Sequence, residues 1–593
     1  MEITKKEFIY YTLELFNVIE NNTINNKYNL NTDYGYFHFS NENDLIIEDY
    51  FKNNKLNGKE LNKTFHKSWD TVKNTSKEIL AIHQIMHYIS TYGSNFESDV
   101  YIPNEILELP QKDNIKLLYI NSVNSDDIIE KCLNLLYTGI ALKQDTIDKI
   151  FKILFYLGYK FTSNDIDSIK NKEALCLVAD ISNIMPNKPE EFLRYLIFKS
   201  TGSTLLIKSN DLLEDIKNSD YNPYEYFIRY DLIKLSQIFN RFKPIFLAFK
   251  YKDGTSKIIN KISKLSKKYH KPLKENILNK VSIYDLNLYR DILKKAKIFE
   301  LIKALNSLRN YYLKGKFYLI RNGKSWYKDD YKGHSKFIKT NIEVILKEIK
   351  SRTQYNKTVY LPNDIEYNLP TSEKQMIGNI PFGTKFKGDK LIVGVYWENS
   401  YGANDIDVSA INVDGKVGWN SEYNRNNLMY SGDITNAPEG AVEYMYSSDE
   451  FANSLIMSNI YSGDSNTRYK IVIGKGNDTS YNYMINPDNM FCSIDTNSVQ
   501  NQTILGLLEN NEDDGLNDFT LLNTSLGNRR VSSEDKTLDV IDTLIKKVNN
   551  QLNLREFLEL IGYNITNNIK EADLDFSLEG LTKNSFIDLL YKY

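Results

Sequence analysis

Apolar residues recur every three or four positions from Ile3 to about Lys350, as in Phe8, Tyr11, Leu15 and Val18, then Ile129, Leu133 and Leu136, then Phe151, Leu154 and Leu157. A period near 3.6 places such residues along one face of a helix, so this half of the chain is predicted to be α-helical. Turn signals at Leu157-Gly158-Tyr159, Met185-Pro186-Asn187 and Phe242-Lys243-Pro244 cut it into helices of ordinary length. Between about Thr371 and Ser532 the pattern changes. Gly, Asn, Ser and Tyr become frequent, and short β-prone runs (Lys390 to Trp397, Tyr469 to Ile473) are bounded by Gly, Asn and Asp, which predicts a β domain. After Glu534 the helical period returns in Leu538, Ile541, Leu544 and Ile545, and again in Leu554, Phe557, Leu558 and Ile561.

The expected fold class is therefore α+β and multidomain: a HEAT-like region of stacked helix pairs, a β-sandwich, and a short α-helical tail. No strict repeat period is present. The expected segments are an N-terminal helical domain (1–115), a basic helical-repeat domain (116–352), a β-sandwich (353–532) and an acidic helical tail (533–593). The echo of Val100-Tyr101-Ile102-Pro103-Asn104 in Val359-Tyr360-Leu361-Pro362-Asn363 reads as two extended segments leaving helical blocks, because proline biases its predecessor away from the helix.

Composition narrows the class. With 593 residues, 41% hydrophobic and 25% charged, the chain has the make-up of a large soluble protein with more than one core. Cys132, Cys176 and Cys492 form no CxxC pair, which fits a reducing compartment and offers no cysteine zinc site. No stretch approaches eighteen consecutive apolar residues and Met1 to Lys6 lead into a charged amphipathic helix, so a cytoplasmic protein without a membrane span is expected. The abundance of Asn, Lys and Ile suggests an AT-rich bacterial or phage genome.

Charge is distributed unevenly. Residues 241–316 carry 20 Lys and Arg against 5 Asp and Glu, a local +15 in a chain of net charge −3. Clustered like charges repel unless a polyanion or an acidic surface offsets them, and RNA is the first candidate. Lys257, Lys261, Lys264, Lys267, Lys268, Lys271 and Lys274 advance mostly by three or four residues, while Ile258, Ile259, Ile262 and Leu265 take the other side. The result is an amphipathic basic helix whose cationic face can lie along phosphates. The alternatives are a merely solvated lysine face, or a purely structural or assembly role in which this helix docks on the acidic tail; that tail is also a candidate surface for protein partners.

Two further constellations carry chemistry. His83 and His87 share a helix face at i,i+4 spacing and can ligate one zinc ion, with His66 as a possible third ligand. That supports an alternative reading as a metal-dependent enzyme. Gln84, however, occupies the position of the glutamate that serves as general base in the hydrolytic zinc motif, and an amide cannot take that role. No GxSxG elbow is present, each cysteine lies in an apolar context, and no catalytic residue is assigned. In Asn404-Asp405-Ile406-Asp407-Val408-Ser409-Ala410, strand alternation puts Asp405 and Asp407 on one face, where two carboxylates repel unless a cation or hydrogen bonds hold them. The Asp414-Gly415 hairpin signal and Ser431-Gly432-Asp433 follow, so the expected calcium ligands are Asp405, Asp407, Asp433 and Glu443, with turn capping as the alternative role.

The strand, the acidic DxD, the DGK hairpin and the GD loop between about Lys390 and Arg530 resemble the tellurium-resistance (TerD) family. That resemblance implies a calcium-binding β-sandwich of bacterial stress systems. The family's dense acidic loop after GD is replaced here by Ile434-Thr435-Asn436-Ala437-Pro438-Glu439-Gly440, which implies weaker binding or a single ion. Asp407-Val408-Ser409-Ala410-Ile411 also approaches the DxSxS metal site of the von Willebrand A domain, with Ile411 in place of its second serine. Upstream, Leu193 to Lys208 is an amphipathic helix, a Gly-Ser turn and a short β-prone strand; with Arg241 to Ala248 and Leu293 to Phe299 it resembles the TROVE module of the Ro autoantigen across about residues 120 to 316. This resemblance implies a helical ring holding small structured noncoding RNA. The RNA-contact set expected from charge and resemblance together is Lys208, Arg241, Lys243, Lys257, Lys261, Lys264, Lys267, Lys268, His270 and Lys271.

Overall fold

The computed structural model describes residues 2–20, 28–31, 36–39, 44–92, 120–271, 277, 281, 284–314, 316–321, 324–329, 337–448, 450–476, 485, 489–511, 515–525 and 551–590. The extended segment beginning at Val100, Lys274 and the apolar run Leu538 to Ile545 lie outside these residues. The first part is predominantly helical and the region after about residue 357 is dominated by antiparallel strands. Among the described residues no helix is long and apolar enough to cross a membrane.

Helix α1 (Lys5–Phe16) starts at Thr4, whose hydroxyl accepts the Glu7 N–H while Glu7 reaches back to the Thr4 N–H, so two otherwise orphaned donors are satisfied reciprocally. Its apolar face turns onto the helix Gln144–Tyr156, where Phe8 stacks on Tyr156 at 4.4 Å. The helices between Asn124 and Ser182 and those from Arg290 to Arg352 share a continuous core with α1 and with the strand region. Those between Pro189 and Tyr269 enclose a second core of their own, centred on Phe192, Leu196, Phe227, Phe246 and Ile262. The span expected as one basic domain (116–352) therefore divides its apolar contacts between two cores. Residues 203–209, expected to hold a short strand, carry no regular structure; the Arg194 guanidinium caps the Thr204 carbonyl there.

The strand region is two antiparallel sheets. Its strands are β1 (Ile365–Glu366), β2 (Lys385–Gly388), β3 (Leu391–Trp397), β4 (Ala403–Asn412), β5 (Gly415–Gly418), β6 (Asn424–Arg425), β7 (Leu428–Tyr430), β8 (Ala441–Ser447), β9 (Ser454–Gly463), β10 (Arg468–Lys475), β11 (Met490–Asn497), β12 (Gln502–Asn511) and β13 (Leu516–Thr524). One sheet runs β5-β4-β9-β12-β13-β2-β1 and the other β6-β7-β8-β3-β10-β11. Strand alternation assigns their faces. Val393, Val395 and Trp397 of β3 join Ile406, Val408 and Ala410 of β4 in the core between the sheets. Ile392 and Tyr396, one residue out of phase, instead pack with Tyr444, Tyr446 and Val472 against Leu61, Trp69 and Val72. Residues 61–72, expected to belong to an N-terminal helical domain, thus pack on the outer face of the second sheet.

The tail differs from the expected helices. The helix Leu554–Ile561 is followed by two short strands, Asn564–Thr566 and Leu574–Asp575, both pairing in parallel with Thr358–Tyr360, and by a last helical turn Ser585–Leu590. The β-branched pair Ile565-Thr566 favours the extended state over the helix.

Candidate metal centre and basic face

Helix α2 (Lys77–Tyr92) lies over the β7–β8 loop, and beneath it three carboxylates meet. Asp405, Asp407 and Asp433 are 2%, 2% and 1% exposed. Each offers an oxygen within 4.8 Å of the others. Alternation along β4 sends Asp405 and Asp407 to the side opposite the core residues Ile406 and Val408, as expected from the sequence. The β4–β9 register is irregular at this point, with shifts between Ala403 and Asp405 and between Asp405 and Ile406. Such bulges re-aim side chains beside functional sites.

Asp433 is delivered by a loop that needs its glycine. Gly432 has φ +99°, and a Cβ there would sit 2.6 Å from the Phe65 ring. The loop is fixed on both flanks: Ser431 exchanges bonds with Tyr444, and its carbonyl accepts the His66 N–H at 3.0 Å. Glu443 does not join the triad. Its carboxylate accepts the Val408 N–H at 2.8 Å, the Tyr430 hydroxyl at 2.6 Å and the Ile434 N–H at 2.9 Å, so it serves as a fully buried strut between the sheets and the loop. The expected calcium ligand at this position is accordingly a supporting residue.

Burial and mutual repulsion set the electrostatics. Burial first, then the charges of Asp407 and Asp433, push the Asp405 carboxyl up to about 9. Asp407 is raised to about 7 by burial and by Asp433, against the opposing pull of Asn459 and Lys416. Asp433 is raised to about 6 by burial, offset by the Tyr88 hydroxyl. Glu443 is held well above the usual range by burial and by the two neighbouring aspartates. Few protein donors relieve this. Asn459 reaches Asp407 at 3.4 Å, and one oxygen each of Asp405 and Asp433 is buried with no hydrogen-bond partner. Orphaned buried acceptors of this kind are costly and call for a cation or a proton. An all-oxygen, carboxylate-rich donor set suits a hard divalent ion of the calcium class rather than zinc, which favours nitrogen and sulfur.

The histidines of α2 take other roles. His87 Nε2 accepts the Thr435 N–H at 3.1 Å and lies 2.9 Å from the Thr435 hydroxyl, which fixes that nitrogen on the β7–β8 loop. His83 faces His66, with ring centroids 5.9 Å apart. Among the described residues the Asp triad is the one group of three or more His, Cys, Asp or Glu side chains within ligating reach of one another, so His66, His83 and His87 are not brought together as a three-ligand set. Gln84 explains its own identity: the amide donates to Asp433 Oδ2 at 3.2 Å while its carbonyl accepts the Tyr423 hydroxyl at 2.5 Å. A glutamate there would place a fourth charge on the triad.

The basic face is built on α3 (Thr255–Tyr269). Gly254 opens it at φ +75°, where a Cβ would press 2.8 Å from the Tyr224 ring. Ile259, Ile262 and Ser266 are buried, whereas Lys257, Lys261, Lys264, Lys267, Lys268, His270 and Lys271 are exposed. Among the described residues none of these lysines forms an ion pair; Lys268 lies 5.2 Å over the Tyr269 ring. Lys208 and Lys243 are likewise exposed. Arg241 is not available in the same way, because its guanidinium is engaged by Glu190 of the helix Pro189–Thr201. Among the described residues no ion pair links the acidic tail to this face. The tail's contacts run to Arg309, which pairs with Glu556, and to Glu14, which accepts from Lys583 at 2.7 Å.

Comparison with protein-family models, with curated proteins and with solved structures finds no match to this chain.

Proposed function

We propose that this chain is a non-enzymatic binding protein whose two-sheet domain holds a calcium-class cation at Asp405, Asp407 and Asp433. The observation that carries this reading is the triad itself: three carboxylates buried together, with two of their oxygens unpartnered. A bound divalent ion cancels the repulsion and takes up those oxygens, and water or backbone carbonyls complete its shell. The TerD-like order of strand, DxD, DGK hairpin and GD loop supports the same assignment and, with it, a role in a bacterial or phage-related stress response. Calorimetric titration of the chelator-stripped protein with calcium chloride tests it. One ion per chain is expected, with binding abolished in Asp405→Asn and Asp407→Asn. Zinc bound in preference to calcium and lost in His83→Ala would instead favour the metalloenzyme.

A second reading concerns the helical region, which we propose acts as an RNA-binding scaffold of HEAT-like, TROVE-like helix pairs. It is favoured by the row of exposed lysines on α3 that no carboxylate among the described residues neutralises. Small structured RNA is the proposed ligand, held chiefly through phosphates and hence salt-dependently. Replacing Lys264, Lys267 and Lys268 together by Glu is expected to remove RNA retention on a filter and to flatten its dependence on salt. Unchanged retention would leave the face a solvated one and favour a structural or assembly role.

A further inference from the structure

Helix α2 is amphipathic in the inverse sense. It turns Ile79, Ile82, Ile85, Met86 and Ile89 outward, each 46–57% exposed, and lays Gln84, His87 and Tyr88 against the carboxylate loop. Apolar burial alone would have docked the helix by its isoleucines. Its seat is polar: Tyr88 donates to Asp433 Oδ2 at 2.9 Å, Gln84 donates to the same oxygen at 3.2 Å, His87 holds Thr435, and Tyr423 fixes the Gln84 amide. Burial and the Asp433 charge keep the Tyr88 hydroxyl protonated and so a donor. Both donors converge on Oδ2, which leaves Oδ1 of Asp433 buried, unpartnered and free to ligate.

We infer that Gln84 and Tyr88 are positioning residues of the cation site, so that cation binding and docking of α2 onto the two-sheet domain strengthen one another. The inference rests on the cation reading above. One carboxylate serves both partners, with Oδ2 held by Gln84 and Tyr88 and Oδ1 left for the ion, so an ion that fixes the Asp433 side chain also fixes the acceptor on which the helix docks. In return, donors fixed on the outer oxygen hold the ligating oxygen in place, a role whose loss costs about 10- to 100-fold in metal affinity at other metal sites. Linkage requires the two effects to be equal in size. Residues 84–88 and 433 are far apart in sequence, so the cation would fasten an N-terminal helix to the C-terminal sheets. A groove of about 530 Å³, lined in part by Leu80, Ala81, Gln84, Tyr88 and Trp419, runs beside the contact.

The test uses the full chain and calcium chloride alone. Tyr88→Phe and Gln84→Ala are each expected to weaken calcium binding about tenfold, as second-sphere partners do. Amide-exchange protection across residues 77–92 is expected to rise with calcium in the natural sequence and not in Asp405→Asn/Asp407→Asn. In Gln84→Glu the cation-free helix is expected to lose protection through like-charge repulsion and to regain it with calcium, which supplies a second handle should one variant fold poorly. A purely structural role for α2 would lower protection equally with and without calcium and leave the dissociation constant unmoved. That outcome, with calcium still bound and still lost in the Asp variants, overturns the coupling while the cation site stands. No calcium binding by the natural sequence overturns both.

Discussion

Asp405 condenses the electrostatic argument for the site. A carboxylate that titrates near 4 in an unfolded chain and at about 9 when folded retains its proton across most of the intervening range. Asp407 and Asp433 behave likewise at about 7 and about 6. The folded state then binds more protons than the unfolded one, and by linkage stability declines as pH rises from about 4 through these values. On the proposed cation reading, calcium is expected to displace those protons and remove the decline. Urea midpoints in chelator are expected to fall from pH 5 to pH 9 and in excess calcium to stay nearly level, with the largest calcium-induced gain at pH 9. Parallel profiles in the two conditions would argue against a cation at these residues. The DxD pair and Asp433 were legible in the sequence because strand alternation and the loop signal depend on local chemistry. Glu443 was placed among the ligands because nothing local reveals that Val408, Tyr430 and Ile434 claim its oxygens.

At the scale of elements, α3 came close to expectation: of the stripe Ile258, Ile259, Ile262 and Leu265, Ile259 and Ile262 are buried and the other two half-buried, and the lysine row is exposed, as the 3.6-residue period implies. In α2 the isoleucines face outward, because long-range partners, Asp433 and Thr435, hold the polar face of the helix. The sequence signal available was Gln84 itself, an amide where the hydrolytic zinc motif carries its general base. For α3 the two faces should respond separately to mutation. Ile262→Ala empties a fully buried site and is expected to cost about 2–5 kcal/mol in urea denaturation without altering RNA retention per folded molecule. Exposed lysines changed singly should stay within about 0.5 kcal/mol of the parent. Equal losses from both faces would mean that the lysines pack rather than bind.

Over the whole molecule, the helical region and the sheets are joined by shared polar contacts as well as by apolar packing. Glu373, buried at the entry to the sheets, accepts the Lys143 N–H at 2.7 Å and the Thr146 hydroxyl at the start of the helix Gln144–Tyr156, while its own N–H bonds the Ala141 carbonyl at 3.0 Å. Lys143 supplies no side-chain cap, so a residue more than two hundred positions away does so. Glu373→Ala is expected to lower stability by about 0.5–2 kcal/mol, the range for a lost helix cap, with the loss seen as faster amide exchange at residues 144–147. Unchanged exchange there would show that the helix end is secured by other means. Domain boundaries were the least legible feature of the sequence. Apolar period locates elements, but it does not say which of several apolar faces will share a core.

The parallel pairing of Asn564–Thr566 and Leu574–Asp575 with Thr358–Tyr360 has a temporal meaning. A growing polypeptide leaves the ribosome with its junction between helices and sheets still open, and roughly two hundred more residues must emerge before the strands that seal it exist. Until then Val359, fully enclosed in the finished molecule, has no strand beside it, and the half-made chain presents a bare edge to whatever chaperone waits at the exit.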